Sequence, residues 1–269
     1  MGVLGERERT GYRAPLALRC FDAVSAAAVG DGLSAVAWRG SDPATTYPAV
    51  PSPVSSLLGF GGLPGQRPYE RAFSTGGAPL DWPAPAAPEP FTVRVTDHGR
   101  RYLPVTLLAQ VPVGAPVEVP LYSAPGRSAP SGWAVVRGEL RAADRSAVAW
   151  AVVEVAADTV PYTTVSDAHG RFLLYLPYPE ALPALPGAPS AGGGLGAVTW
   201  PLTIGVRSAP GTLRTPAAAP AAPPGPPYLD SILGQTAAGI DLGGGPRPTV
   251  TATLVFGAPL VLPITVVPA

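Results

Sequence analysis

Along most of this chain apolar and polar side chains alternate with a period of two. Phe91-Thr-Val-Arg-Val-Thr-Asp97 and Thr249-Val-Thr-Ala-Thr-Leu-Val-Phe256 show it most cleanly. That period sends successive side chains to opposite faces of a half-buried strand. Trp133-Ala-Val-Val-Arg-Gly138, Trp150-Ala-Val-Val-Glu-Val155 and Arg171-Phe-Leu-Leu-Tyr-Leu176 are short, aromatic and β-branched, and also read as strands. Leu260–Val267 is a final apolar run interrupted by Pro263. Proline has no ladder N–H, so this strand is expected at an edge or bent there. Only residues 229–238 suggest a helix, one or two turns opening at Tyr228. Three stretches, 76–90, 182–196 and 209–227, are dominated by Pro, Gly and Ala and are too long for tight turns. They are expected as extended loops, serving either as connectors or as arms along a neighbour.

The pattern also repeats. Leu16-Ala-Leu-Arg-Cys-Phe-Asp22, Gly32-Leu-Ser-Ala-Val-Ala-Trp38 and Ser52-Pro-Val-Ser-Ser-Leu-Leu-Gly-Phe60 follow one another as strand, turn, strand, long gap, turn and strand. Trp133-Ala-Val-Val-Arg-Gly-Glu-Leu140, Ala147-Val-Ala-Trp-Ala-Val-Val-Glu-Val155 and Ser166-Asp-Ala-His-Gly-Arg-Phe-Leu-Leu-Tyr175 do the same. Later strands close each copy, 91–97 and 102–110 in the first, 200–206 and 249–267 in the second. An isolated hairpin is marginal in water, so the terminal strands are expected to return to the sandwich begun at Trp133. In the second copy Asp167 can cap its own turn and Gly170 can take a positive φ. They should form a hairpin tip, with Phe172, Leu174 and Leu176 on one side of the next strand and Leu173 and Tyr175 on the other. Asp97 and Gly99, in Thr96-Asp-His-Gly-Arg100, are turn formers of the same kind.

Val136-Arg-Gly-Glu-Leu140, Ala151-Val-Val-Glu-Val155 and Thr164-Val-Ser-Asp-Ala-His-Gly-Arg-Phe-Leu-Leu-Tyr-Leu-Pro177 resemble the carboxypeptidase regulatory-like, transthyretin-like domain. The resemblance covers residues 130–206 and the terminal strands, and the first copy lacks the Asp and Gly of the turn at 52–60. It implies an all-β fold of two transthyretin-like or immunoglobulin-like β-sandwich units joined by Pro/Gly-rich loops. The expected division is an N-terminal tail at 1–13, a first sandwich at 14–112 and a linker at 113–130. A carboxypeptidase regulatory-like sandwich follows at 131–269, with a long Pro-rich insertion at 207–227.

Composition sharpens this picture. Gly 32 and Pro 37 make up a quarter of the 269 residues, near the range of disordered chains. The hydrophobic fraction of 46% and mean hydropathy of +0.24 are too apolar for disorder, so short strands joined by Pro/Gly loops reconcile the two. Charge is sparse and balanced, 18 basic against 18 acidic, with every basic side chain an arginine. There is no basic patch for nucleic acid, and near neutrality permits close association with other proteins. The single Cys20 cannot form an intramolecular disulfide and is expected as a buried structural thiol. Residues 1–13 are polar and have no secretory h-region. No apolar run reaches the ~18 residues of a membrane span. A cytoplasmic protein without direct membrane insertion is expected.

Candidate chemistry is thin. His98 and His169 both sit between Asp and Gly at turns, with no Gly-x-Ser-x-Gly elbow to accompany them. One Cys and two separated His cannot build a zinc centre. Gly59-Phe-Gly-Gly-Leu-Pro-Gly65 has Pro64 where a dinucleotide loop has its third glycine, and reads as a turn. The carboxylates are scattered. No catalytic, cofactor-binding or metal-binding residue is therefore expected, and no cofactor. Trp133, Trp150 and Trp200 lie in strand patterns and are expected in the core. Trp82, in Leu80-Asp-Trp-Pro-Ala-Pro85, is a candidate interface anchor.

A second resemblance bears on function. Tyr102-Leu-Pro-Val105, Pro120-Leu-Tyr-Ser-Ala-Pro125, Gly132-Trp-Ala-Val-Val-Arg-Gly138 and Leu254-Val-Phe-Gly-Ala-Pro-Leu-Val-Leu262 resemble uncharacterised proteins encoded with phage-tail-like contractile injection systems. It implies a non-enzymatic structural or accessory component, at the baseplate, with protein partners in a larger assembly. The alternative is a standalone β-sandwich module that binds a glycan or envelope polymer.

Overall fold

The computed structural model describes residues 9–40, 43–75, 78–84, 87–157, 160–178, 198–217 and 225–267. The expected loop at 182–196 lies outside them. Ten strands precede residue 130: β1 Arg9–Tyr12, β2 Leu16–Asp22, β3 Leu33–Arg39, β4 Tyr47–Pro48, β5 Val50–Pro51, β6 Leu58–Phe60, β7 Arg71–Ser74, β8 Glu89–Asp97, β9 Val105–Val111 and β10 Val117–Leu121. Eight follow: β11 Trp133–Ala142, β12 Val152–Ala157, β13 Val160–Val165, β14 Arg171–Pro177, β15 Thr199–Arg207, β16 Ala237–Asp241, β17 Thr249–Val255 and β18 Leu260–Val267. One short helix, α1 Leu229–Leu233, lies before β16. No helix among the described residues is long and apolar enough to cross a membrane.

The repeat in sequence is a repeat of topology. In the first unit β2 pairs antiparallel with β6 and parallel with β10, while β3 pairs with β4 and β8, and β8 with β9. In the second, β11 pairs antiparallel with β14 and parallel with β18, while β12 pairs with β13 and β15, and β15 with β17. The protein is thus all-β, with two β-sandwich units. In the second unit β16 bridges the C-terminal ends of β15 and β18 and joins the two faces into one sheet.

Alternation delivers the two cores. Leu16, Leu18 and Cys20 of β2 pack against Ala35, Ala37, Phe91 and Val93. Burial pushes the Cys20 thiol up to about 12, so it stays protonated. The second core gathers Val136, Leu140, Val153, Val155, Leu202, Ile204 and Ile264 around Phe172, Leu174 and Leu176 of β14. Each such side chain taken from water contributes about 2 kcal/mol. Leu173 and Tyr175 take the opposite face of β14, yet they are buried too.

Tyr175 lies against the end of the segment expected as a linker, with its hydroxyl on the Arg127 carbonyl. Residues 113–130 hold β10, a strand of the first sandwich. Val117-Glu-Val-Pro-Leu121 is short and contains Pro120, which an edge strand tolerates. The expected tail is likewise structured at its end, since β1 pairs antiparallel with β7. The Pro-rich insertion is not a free arm where it is described. Pro226 and Pro227 are buried, Tyr228 forms a bridge with Thr106 of the first unit, and its hydroxyl lies 3.1 Å from Thr92 Oγ1. The expected helix at 229–238 stops at Leu233, and its second half becomes β16 because residues 237–241 have sheet edges to fill. Trp150 precedes β12 with φ 59°, outside the strand pattern that promised it to the core. Trp133, Trp150 and Trp200 are only half-buried, and Trp38 is the enclosed one. Pro263 sits where β18 has β11 as its one neighbour, since β16 reaches only Thr265 to Val267.

The units meet around a small apolar cluster, Leu103, Tyr122, Val152, Val165 and Ile232. Beside it Arg127 Nη1 donates to Asp22 Oδ2 at 2.6 Å and to Ser123 Oγ at 2.9 Å. Asp22 also accepts from Tyr102 Oη at 3.0 Å and from the amides of Val24 and Ser25 at 3.0 and 3.1 Å. The Arg127 guanidinium lies 4.4 Å from the Tyr102 ring centroid and 5.5 Å from that of Tyr175. Tyr175 in turn donates its hydroxyl to the Arg127 carbonyl. Burial opposes the Asp22 charge, but the amide of Ser25, the Arg127 guanidinium and the amide of Val24 outweigh it and hold the carboxyl below its ordinary value. Burial, with the Asp22 charge beside it, pushes the Tyr102 phenol up to about 12.

Two outcomes are expected. Gly138→Ala would place a Cβ 2.1 Å from the Leu262 carbonyl oxygen and 2.7 Å from the Phe172 ring. Calorimetry should show a loss of about 3 kcal/mol, because backbone cannot yield as a side chain can. A depressed carboxyl stabilises fully above its unfolded pKa of about 4, and that contribution disappears as pH falls through the lower folded value. Asp22→Asn should therefore flatten the acid limb of the stability curve below about pH 4. Arg127→Met, which strands the buried carboxylate, should cost about 3 kcal/mol at pH 7. Urea titration across pH reads both.

Candidate functional site

The outward face of the second unit's sheet is not solvated like an ordinary sandwich surface. β11 presents Val135, Arg137 and Glu139 there, β14 presents Leu173 and Tyr175, and β18 presents Val261 and Pro263. The first unit supplies a facing wall from its turn at 96–104 and from residues 124–126. Between them runs a groove of about 890 Å³. It continues for about another 530 Å³ past Pro125 and Arg137, which line both parts, toward Trp133, Tyr178 and residues 256–259. The Asp22–Arg127 junction holds the walls apart, because it fixes the segment that forms one side.

The turn formers named from the sequence come together here. Asp97 accepts from the Gly99 amide at 3.3 Å, the Arg101 amide at 2.6 Å and the Arg101 guanidinium at 3.0 and 3.1 Å. Asp167 accepts from the amides of His169 and Arg171 at 2.8 and 2.9 Å and from the Arg171 guanidinium at 2.8 and 3.0 Å. Both carboxylates line the groove. Burial works against the Asp97 charge, but the Arg101 side chain and amide overcome it and hold the carboxyl below its ordinary value. Gly170 has φ +77°, and a Cβ there would fall 2.5 Å from the Leu140 carbonyl oxygen, so the turn requires glycine. Gly99 lies in its turn in a different way. It has no positive φ, and the left-handed position belongs to Arg100 at φ 52°, a conformation that costs a non-glycine residue about 1 kcal/mol.

Trp82 stands apart from the groove. The Arg13 guanidinium lies 4.7 Å from its ring centroid, and Arg13 Nε donates to the Tyr69 carbonyl at 2.9 Å. A Cβ at Gly11 would be 3.1 Å from the Trp82 ring. Half-buried, Trp82 thus clamps β1 within its own chain. His98 and His169 are exposed at their turn tips and do not line the groove.

The residues that sequence reasoning passed over are Arg100, Arg137 and Val261. Arg137 sits at an outward position of a strand, where a charge looks like ordinary solvated surface. Val261 is 56% exposed, although it lies in an apolar run whose only sequence irregularity is Pro263. Within the groove Asp97, Asp167 and Glu139 are paired with Arg101, Arg171 and Arg141 at 3.0, 2.8 and 2.5 Å. Arg100 and Arg137 have no carboxylate at ion-pair distance among the described residues. No group of three or more His, Cys, Asp or Glu side chains suited to a metal ion occurs among the described residues. What the groove offers is apolar surface and uncompensated positive charge.

No family profile matches the chain, and no curated protein sequence does. Among solved structures, the shaft pilin SpaA of Lactobacillus rhamnosus GG aligns over 98% of both chains at 9% identity with a TM-score of 0.25. Its D295N mutant aligns over 94% of this chain and 97% of its own at 8% identity, also with a TM-score of 0.25. Likeness at that level leaves fold and function resting on the chain's own strand pairing and groove.

Proposed function

We propose that this chain is a non-enzymatic structural component of a larger protein assembly formed inside the cell. On the sequence resemblance, that assembly is a phage-tail-like contractile injection system, with the chain at or near its baseplate. The observation that carries the reading is the junction. Two sandwiches are tied by the Tyr175 hydroxyl on the Arg127 carbonyl, an apolar cluster and a strap at 225–233, which suits a part that must hold its shape under load. The groove fits the same reading, because its carboxylates are bound to arginines and its lining is suited to recognition.

One observation favours the alternative, a module that binds a glycan or envelope polymer. Tyr178, Trp200 and Phe256 form an aromatic cluster with ring centroids 4.7 to 6.3 Å apart, and Phe256 is 36% exposed. Sugars stack on such faces through their C–H groups.

Mass spectrometry of particles purified from the native host tests the first reading, with the chain expected at fixed stoichiometry to the sheath and tube proteins. His98→Ala with His169→Ala should leave incorporation and particle activity at wild-type level. Absence of the chain from particles, together with glycan-array binding that Trp200→Ala abolishes, would establish the alternative instead.

A further inference from the structure

The groove's lining has three carboxylates and three arginines, but two of those arginines have no carboxylate at ion-pair distance among the described residues. Its three carboxylates are each matched by one arginine, two of which, Arg101 and Arg141, reach in from outside the lining. That leaves Arg100 and Arg137, one on each wall, beside the aliphatic, prolyl and aromatic side chains of the lining. Val261 is 56% exposed within it, an unusual placement for a valine flanked by a buried core residue.

Three hydroxyls of the groove are already engaged. Tyr102 donates to Asp22, Tyr175 to the Arg127 carbonyl, and Thr96 Oγ1 lies 2.8 Å from Ser34 Oγ. Farther along, Tyr178 Oη accepts the Gly257 amide at 2.9 Å. A polysaccharide buried here would lose its hydration without gaining the neutral donors and acceptors that replace it. An extended polypeptide needs less from side chains, because alternate residues can sit on apolar surface while its remaining groups face solvent. The groove follows β11 from Trp133 to Glu139, about 20 Å at 3.3 Å per residue, the span of about six extended residues.

We propose that this groove is the docking site for an extended, acidic segment of a partner protein, with a carboxylate of that segment met by Arg100 and Arg137. The proposal rests on the assembly reading and names the surface through which it operates. Charge complementarity selects the occupant: a basic or neutral segment would leave both guanidinium groups uncompensated, whereas an acidic one gains charge-assisted hydrogen bonds.

The test uses the full chain and a fluorescein-labelled peptide, Val-Pro-Val-Glu-Val-Pro-Val, beside its twin with Gln in place of Glu. Fluorescence anisotropy should show the Glu peptide binding about fivefold to tenfold more tightly. Arg137→Gln should abolish that difference without changing the melting temperature. Arg67→Gln, at an exposed arginine outside the groove, should preserve it. Equal affinity for the two peptides, no binding of either, or an unchanged preference in Arg137→Gln would overturn the proposal. So would polygalacturonate binding that depends on Arg137 while the peptides fail. Any of these results with the chain still present in purified particles removes the groove proposal alone. Absence from particles removes the assembly reading beneath it.

Discussion

A carboxylate and a guanidinium enclosed at a junction between two sandwiches constrain most of what surrounds them. Asp22 closes β2 and Arg127 follows β10, so the pair ties the first and last strands of one unit to the segment that leaves it. An enclosed ion pair contributes little net stability, because desolvation offsets the attraction. Its effect is on choice of geometry. With both groups out of water, an arrangement that separates them strands a charge, so the segment that leaves the first unit is held to one path. Tyr102 and Tyr175 extend the constraint, one from each unit, with the guanidinium lying against both rings.

The groove is a consequence of that fixed geometry. Two sheets joined by a flexible tether would collapse on each other or drift apart, and either way no cavity of constant shape would persist. Here the segment at 124–127 is held at both ends, and the two Asp–Arg turns sit on opposite walls. The turns are built alike, with one carboxylate collecting two amides and the arginine four residues on. Each freezes its own tip and removes a carboxylate from the local charge balance. The positive character of the groove thus follows from turn chemistry as much as from the arginines themselves.

Local features were readable in the amino-acid order and long-range ones were not. The alternation at 91–97 and 249–255, the side-chain faces of β14 and the glycine demanded at Gly170 follow from side-chain period and turn sterics. The two-copy pattern survived even where its turn motif is absent at 52–60. What escaped notice has a common cause. β10 and β1 are short, and their register is set by β2 and β7, far away in the chain, so nothing nearby marks them as strands. The outward valines and leucines of β11, β14 and β18 look like core residues, because periodicity distinguishes faces but not what covers them. Trp82, a candidate anchor in a Pro-flanked loop, also lies against Arg13 and Gly11 of its own chain, a long-range contact that residue order does not reveal.

The parallel pairing of β2 with β10, and of β11 with β18, bears on how the chain carries force. In each unit the chain enters through the first strand of the pair and leaves through the last, and the two run side by side in one direction. Tension applied at entry and exit therefore slides the strands past one another lengthwise. The hydrogen bonds between them are loaded together, whereas the ends of an antiparallel hairpin would peel open one bond at a time. Each sandwich is mechanically clamped between its entry and exit strands, and two such clamps lie in series along the chain.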